Sequence, residues 1–106
     1  MSIQTLDNVP DYYVLWHHPR FSIVYKVIEN LTKQSLRQRR GLEQRGAAHA
    51  DVPFARSFID FLLNKKLLEV PKARKDLVEP TEAGREVFQK FIISQEVDPL
   101  LLSFFE

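Results

Sequence analysis

The sequence predicts a mainly α-helical domain carrying one small β-hairpin. Three observations lead there. Apolar residues recur at helical spacing in residues 19–31, 52–66 and 82–95, so each segment can bury one face. Two short apolar runs, 67–70 and 77–78, flank the cationic turn Lys72, Ala73, Arg74, Lys75 and read as the arms of a hairpin at about 68–79. A chain of 106 residues with 44% apolar content and eight Phe suits one domain with a compact core.

Taken in order, residues 1–10 offer only Ile3, Leu6 and Val9 as anchors, and residues 1–18 form an arm or docking segment. Residues 11–16 (DYYVLW) fit either a short buried strand or a first helical turn. His17, His18 and Pro19 break that run, and Pro19 suits the first position of a helix because its missing donor would be unpaired there. Phe21, Val24, Ile28 and Leu31 then give this helix its apolar face, with Arg20, Lys26 and Glu29 opposite. In residues 32–46 only Leu36 and Leu42 are clearly apolar, and Gly41 weakens the middle, so a short, basic, broken helix is expected. Asp51 is placed as N-cap of a third helix over 52–66, with Pro53 in its first turn. At 100° per residue Phe54, Phe58, Phe61, Leu62 and Lys65 share one face of it, and Pro53, Arg56, Asp60, Leu63 and Asn64 the other.

After the hairpin, Pro71 and Pro80 belong at strand ends because they lack a donor. Thr81 followed by Glu82 makes a good helix start, with the acid where the helix dipole favours it. This last helix, about 82–95, should pack Phe88, Phe91 and Ile92 and end before Asp98 and Pro99. The apolar tail 97–106 then ends the chain, and Phe54, Phe58, Phe61, Leu62, Phe88 and Phe91 are expected in one core. The segment 61–69 (FLLNKKLLE), the basic hairpin, and then Pro80, Thr81, Glu82, Ala83 and Gly84 resemble the recognition helix, wing and following helix of winged helix-turn-helix proteins such as MarR- and PadR-type regulators. The resemblance covers about residues 20–93. Thr81 and Gly84 match a Leu-Thr-x-x-Gly helix opening, whereas Pro80 stands in place of its Leu and Lys66 in place of a Gly before the first wing strand.

Charge is unevenly distributed. Residues 33–75 hold eleven Lys and Arg against four acids, a net +7, whereas residues 1–32 carry −1 and residues 76–106 carry −5. A positive block in the part resembling a DNA-reading half is what a polyanion-binding surface needs. Catalysis is not expected: there is no Cys, the three His lack metal-ligand spacing, and the three Gly make no phosphate-cradling loop. No cofactor or metal is expected either. No apolar run approaches the ~20 residues of a membrane-spanning helix, and residues 1–10 lack the pattern of a signal peptide. The expected setting is therefore cytoplasmic, with no membrane partner, and the resemblance implies association with the nucleoid.

The resemblance implies a sequence-specific duplex-DNA-binding protein, a small dimeric transcriptional regulator, with Lys33, Arg37, Arg39, Arg40 and Arg45 ahead of the recognition helix. Arg56 and Asn64 would lie on its exposed face, and Lys72, Arg74 and Lys75 at the wing tip. Arg reads guanine and Asn reads adenine in the major groove, while wing cations meet phosphates or the minor groove. Asp60 on the same face argues the other way unless it orients Arg56 or accepts from a cytosine amino group. The alternative is a winged-helix adaptor binding protein partners in a larger assembly. Tyr12, Trp16, Leu100, Leu101, Phe104 and Phe105 are the expected homodimer or partner contacts, because two apolar stretches lie outside the three-helix core. The tail also resembles a sliding-clamp-binding peptide, with Leu101, Phe104 and Phe105 in register and Asp98 where Gln is usual.

Overall fold

The computed structural model describes residues 11–45 and 49–105. Helix α1 (Asp11–Trp16) leads to α2 (Phe21–Lys33), a two-residue strand β1 (Arg37–Gln38) and α3 (Arg39–Arg45). A 3-10 turn (His49–Asp51) opens α4 (Val52–Asn64), then come β2 (Leu68–Glu69), β3 (Leu77–Pro80), α5 (Glu82–Gln89), a π-helical segment (Lys90–Ser94), α6 (Pro99–Leu102) and a closing 3-10 turn (Ser103–Phe105). The chain is mainly helical, with a small antiparallel sheet of three strands in the order β1-β3-β2. The hairpin at 68–79 is present, and β1 is an addition that the sequence did not announce. Two residues are too few to show alternation. Arg37 pairs with Val78 and Gln38 with Leu77, so it is the open edge of β3 that draws this stretch out of the helix expected over 32–46.

One core joins the α-helices, β2, β3 and the π-helical segment. Val27, Ile28 and Leu31 of α2, Phe58, Ile59 and Leu62 of α4, and Val87, Phe88 and Phe91 after the sheet are buried together, joined by Tyr12 and Leu15 of α1 and Leu101 of α6. Each fully buried Phe contributes about 1.5–3 kcal/mol, so Phe58, Phe88 and Phe91 are anchors. Phe54 and Phe61 are half-buried, because the innermost face of α4 is Ala55, Phe58, Ile59 and Leu62. The expected face is thus rotated, and Lys65 lies outside it, its ammonium 5.9 Å from the Phe61 ring centroid.

Several ends differ from expectation for local reasons. Residues 11–16 resolve as helix, with Tyr12 and Leu15 inward at i and i+3. Helix α2 begins at Phe21, not Pro19, after a turn in which the Arg20 amide donates to His18 Nδ1 at 3.0 Å. Asp51 is at the N-cap of α4 but gives it no side-chain hydrogen bond; its carboxylate is paired with the Arg20 guanidinium. The helix expected over 82–95 is α-helical only to Gln89, continues as a π-helical segment, and ends at Gln95 in the left-handed region with φ 55°. Among the described residues no helix is long and apolar enough to cross a membrane.

The C-terminus of α4 is closed by a Schellman motif. The Leu67 amide donates to the Leu62 carbonyl at 2.9 Å and the Lys66 amide to the Leu63 carbonyl at 3.2 Å, while Leu62 and Leu67 are both buried. This motif sets the residue after the cap in the left-handed region, and Lys66 takes it with φ 63°. Thr81 clamps the same turn. Its amide donates to the Leu67 carbonyl at 3.1 Å, its hydroxyl donates to the Lys66 carbonyl at 2.7 Å, and that hydroxyl accepts from the Gly84 amide at 3.0 Å. Gly84 is required by this approach, since a Cβ there would fall inside contact distance of the Leu67 carbonyl oxygen. Lys66→Gly should therefore raise stability by about 1 kcal/mol through relief of the left-handed backbone. Gly84→Ala should lower it by about 1–3 kcal/mol through overpacking. Urea unfolding reads both, and a Gly84→Ala chain as stable as the parent would show that the Leu67 carbonyl can move aside.

Candidate nucleic-acid interface

The basic block is built from α3, α4 and the β2–β3 hairpin, but its cations are not equivalent. Arg37 is turned inward to the end of α2. Its Nε and Nη2 donate to the Asn30 carbonyl at 3.1 and 3.0 Å, and Nε also reaches the Gln34 carbonyl at 3.2 Å. The Asn30 carbonyl already accepts the Gln34 amide at 3.1 Å, so Arg37 adds a charged donor there and complements the negative end of the helix dipole. Lys33, in the last turn of the same helix, is exposed and stands 4.0 Å from Glu29.

Between α3 and α4 lies a chain of four alternating charges. Glu43 is the only charged residue buried among the described residues, and its carboxylate accepts from Arg39 Nε at 3.1 Å and from Arg56 Nε at 3.4 Å. Arg39 Nη2 also donates to Asp60 Oδ1 at 2.5 Å. Burial by itself lowers the Arg39 pKa, but the hydrogen bonds to Asp60 and Glu43 outweigh it and hold the guanidinium above its ordinary value. Asp60 therefore binds Arg39 rather than Arg56, and the arginine expected to read guanine is tethered to a buried acid. Glu43 was missed in the sequence. Its spacing of four from Arg39 is the one signal that could have marked it.

At the hairpin, Arg74 grips Asp76 with two hydrogen bonds of 3.0 and 2.8 Å, so its charge is largely cancelled. The Arg74 hydrogen bond in turn holds the Asp76 carboxyl below its ordinary range. Arg40, Lys65, Lys66, Lys72 and Lys75 are exposed and form no ion pair among the described residues. Asn64 is exposed at the last position of α4. The Arg45 side chain lies outside the described residues.

The expected contact residues divide as well. Tyr12 is 7% exposed and Leu101 0%, so both belong to the chain's own core rather than to a free surface. Phe104 packs on Phe54, Phe58 and Phe61 at centroid distances of 5.0–5.4 Å, and Phe105 on His18 at 4.9 Å. The tail thus folds back in cis, because the half-buried aromatic edge of α4 offers it more apolar contact than water does, and a clamp-binding peptide would have to be pulled out of this packing. Trp16 and Leu100 remain exposed. No cluster of three or more potential metal ligands occurs among the described residues. Comparison with family models, with curated proteins and with solved structures found no match to this chain.

Two outcomes test these assignments. Glu43→Ala leaves Arg39 and Arg56 without their shared acceptor and should lower stability by about 1–3 kcal/mol in urea unfolding; an unchanged midpoint would mean the pair is open in solution. By NMR, the Asp76 carboxyl should titrate below 3.8, and Arg74→Ala should return it towards that value. Because the folded value is depressed, the pair's contribution is present above the unfolded pKa and is lost as pH falls through the folded one. A titration at or above 3.8 in the parent chain would remove the ion pair from the solution structure.

Proposed function

We propose that this chain is a winged helix-turn-helix domain that binds duplex DNA, chiefly through phosphates, as a small regulator. The observation that carries the reading is the element order. Three helices α2, α3 and α4, with a short strand between the first two, are followed by a hairpin that completes a sheet of order β1-β3-β2. Exposed cations gather on the parts that such a domain turns towards DNA: Arg40 on α3, and Lys72 and Lys75 on the β2–β3 loop. The net +7 of residues 33–75, against −5 for residues 76–106, gives the molecule an electrostatic direction.

The ion pairs shape how such binding works. Arg39, Arg56 and Arg74 each have a carboxylate partner, so engaging them means exchanging one anion for another, whereas Arg40, Lys72 and Lys75 can release counterions directly. Base reading would fall to Asn64 and to Arg56 once it leaves Glu43. The same pairing favours a second reading, a winged-helix adaptor for protein partners, because it cancels much of the charge on the exposed face of α4. Pairing of two copies would bring two α4 helices to successive major grooves, about 34–36 Å apart.

Fluorescence anisotropy with random and selected duplexes separates the readings. If about five phosphates are engaged, log K should fall with log salt at a slope of roughly −4.5. Joint replacement of Arg40, Lys72 and Lys75 by Ala should flatten that slope by about 2–3 on every sequence, whereas Arg56→Ala should cost about 1–3 kcal/mol at the preferred site only. Absence of binding to any duplex at low salt would leave the adaptor reading in front.

A further inference from the structure

Away from the basic surface, a cleft of about 560 Å³ opens between α1 and the turn that follows the π-helical segment, lined by Tyr12, Tyr13, Trp16, Ser94, Gln95 and Glu96. Its size falls in the range of small-molecule sites, roughly 300–1,000 Å³. Among the described residues three of these six are aromatic, and all three rings come from α1. Tyr13 and Trp16 are each 57% exposed; Trp16 packs on buried Tyr12 and Phe21 at centroid distances of 6.3 and 5.3 Å, and Tyr13 stands edge-on to His17 at 5.0 Å. Both side chains therefore remain partly open to solvent, with Trp16 held by buried rings and Tyr13 by His17.

Across the cleft stands Glu96, exposed and without an ion pair among the described residues. Its position is set by backbone geometry. Gln95 holds a left-handed φ of 55°, uncommon outside glycine, and the Glu96 amide donates to the Lys90 carbonyl at 3.0 Å. Aromatic faces present negative potential from the ring quadrupole, and the carboxylate adds a full negative charge. An anion meets repulsion from both. A neutral apolar ligand uses the rings and desolvates the carboxylate without pairing it, whereas an alkylated ammonium group uses both. Lys26 lines the neighbouring cleft on the other flank of Trp16, which directs a cation to the Glu96 side.

We infer that this cleft binds a small organic cation of the alkylammonium class, with Tyr13 and Trp16 supplying ring faces and Glu96 the counter-charge. The inference is independent of the DNA-binding reading, since among the described residues none that lines the cleft belongs to α3, α4 or the hairpin. Trp16 is the sole tryptophan, so its fluorescence reports on the site in the unaltered full chain. Choline chloride, titrated against sodium chloride at equal ionic strength, should give a saturable change with a Kd on the order of 10 mM. The neutral tert-butyl isostere of choline should give none, and Glu96→Gln, an exposed and conservative change, should weaken choline binding about two- to fivefold. An equal response to the neutral isostere, an unchanged affinity in Glu96→Gln, or no choline response beyond the sodium chloride control overturns the inference. A peptide carrying trimethyl-lysine that binds more than about tenfold tighter than choline would assign the cleft to a polypeptide partner, and would overturn the small-molecule assignment.

Discussion

The turn from Leu62 to Leu67, held by Thr81 and Gly84, is the constraint on which the rest of the molecule depends. Within six residues it ends α4, reverses the chain and starts β2, and its two carbonyls at Lys66 and Leu67 are both taken by Thr81. Those bonds fix where α5 begins relative to where α4 ends. They also place Leu67 and Leu68 in the core beside Phe88 and Val78, so the hairpin and the last helices form one packed unit with α4. Backbone groups at helix ends lack partners within the helix, and here one threonine supplies a donor amide, a donor hydroxyl and an acceptor oxygen at once.

Charge in this protein is organised by pairing as much as by accumulation. A count of cations between residues 33 and 75 suggests a uniformly positive face, yet Glu43 and Asp60 hold Arg39 and Arg56, Asp76 holds Arg74, and the α2 carbonyls hold Arg37. Exposed pairs of this kind contribute little stability, about 0–1 kcal/mol each. Glu43 is different because it is nearly buried, and a buried carboxylate without partners is expensive. Its two arginines fix α3 against α4 and lower the charge that α4 shows to a partner.

The aromatic residues form two groups with different duties. At one end Tyr12, Phe21 and Phe91 pack in edge-on and tilted contacts at centroid distances of 5.2–6.0 Å and fasten α1 to α2 and the π-helical segment, leaving Trp16 at their margin. At the other, Phe104 closes over Phe54, Phe58 and Phe61. The first group builds the base of a cleft and the second fills what would have been one. That difference explains why the apolar tail is largely consumed in cis while α1 still presents Tyr13 and Trp16 to solvent.

Local chemistry made much of this legible from the sequence. The spacing of Phe21, Val24, Ile28 and Leu31, the N-cap at Thr81 and the basic turn between two short apolar runs dictate helices, a helix start and a hairpin through short-range periodicity and capping. Strand β1 was not legible, because two residues carry no period and their pairing depends on β3, some forty residues away. The pairs of Arg39 with Asp60 and of Arg56 with Glu43 were equally hidden: a guanidinium on a solvent-facing helix has the same sequence signature whether it is free or bound to an acid on the next helix. The clefts beside Trp16 also needed the fold, since α1 and the turn at Gln95 are distant in the chain and meet only through the core. Periodicity and capping are decided within one turn or strand and can be read residue by residue. Which charges neutralise one another, and which aromatic faces stay open, depends on how separate elements approach, and only the tertiary structure sets that.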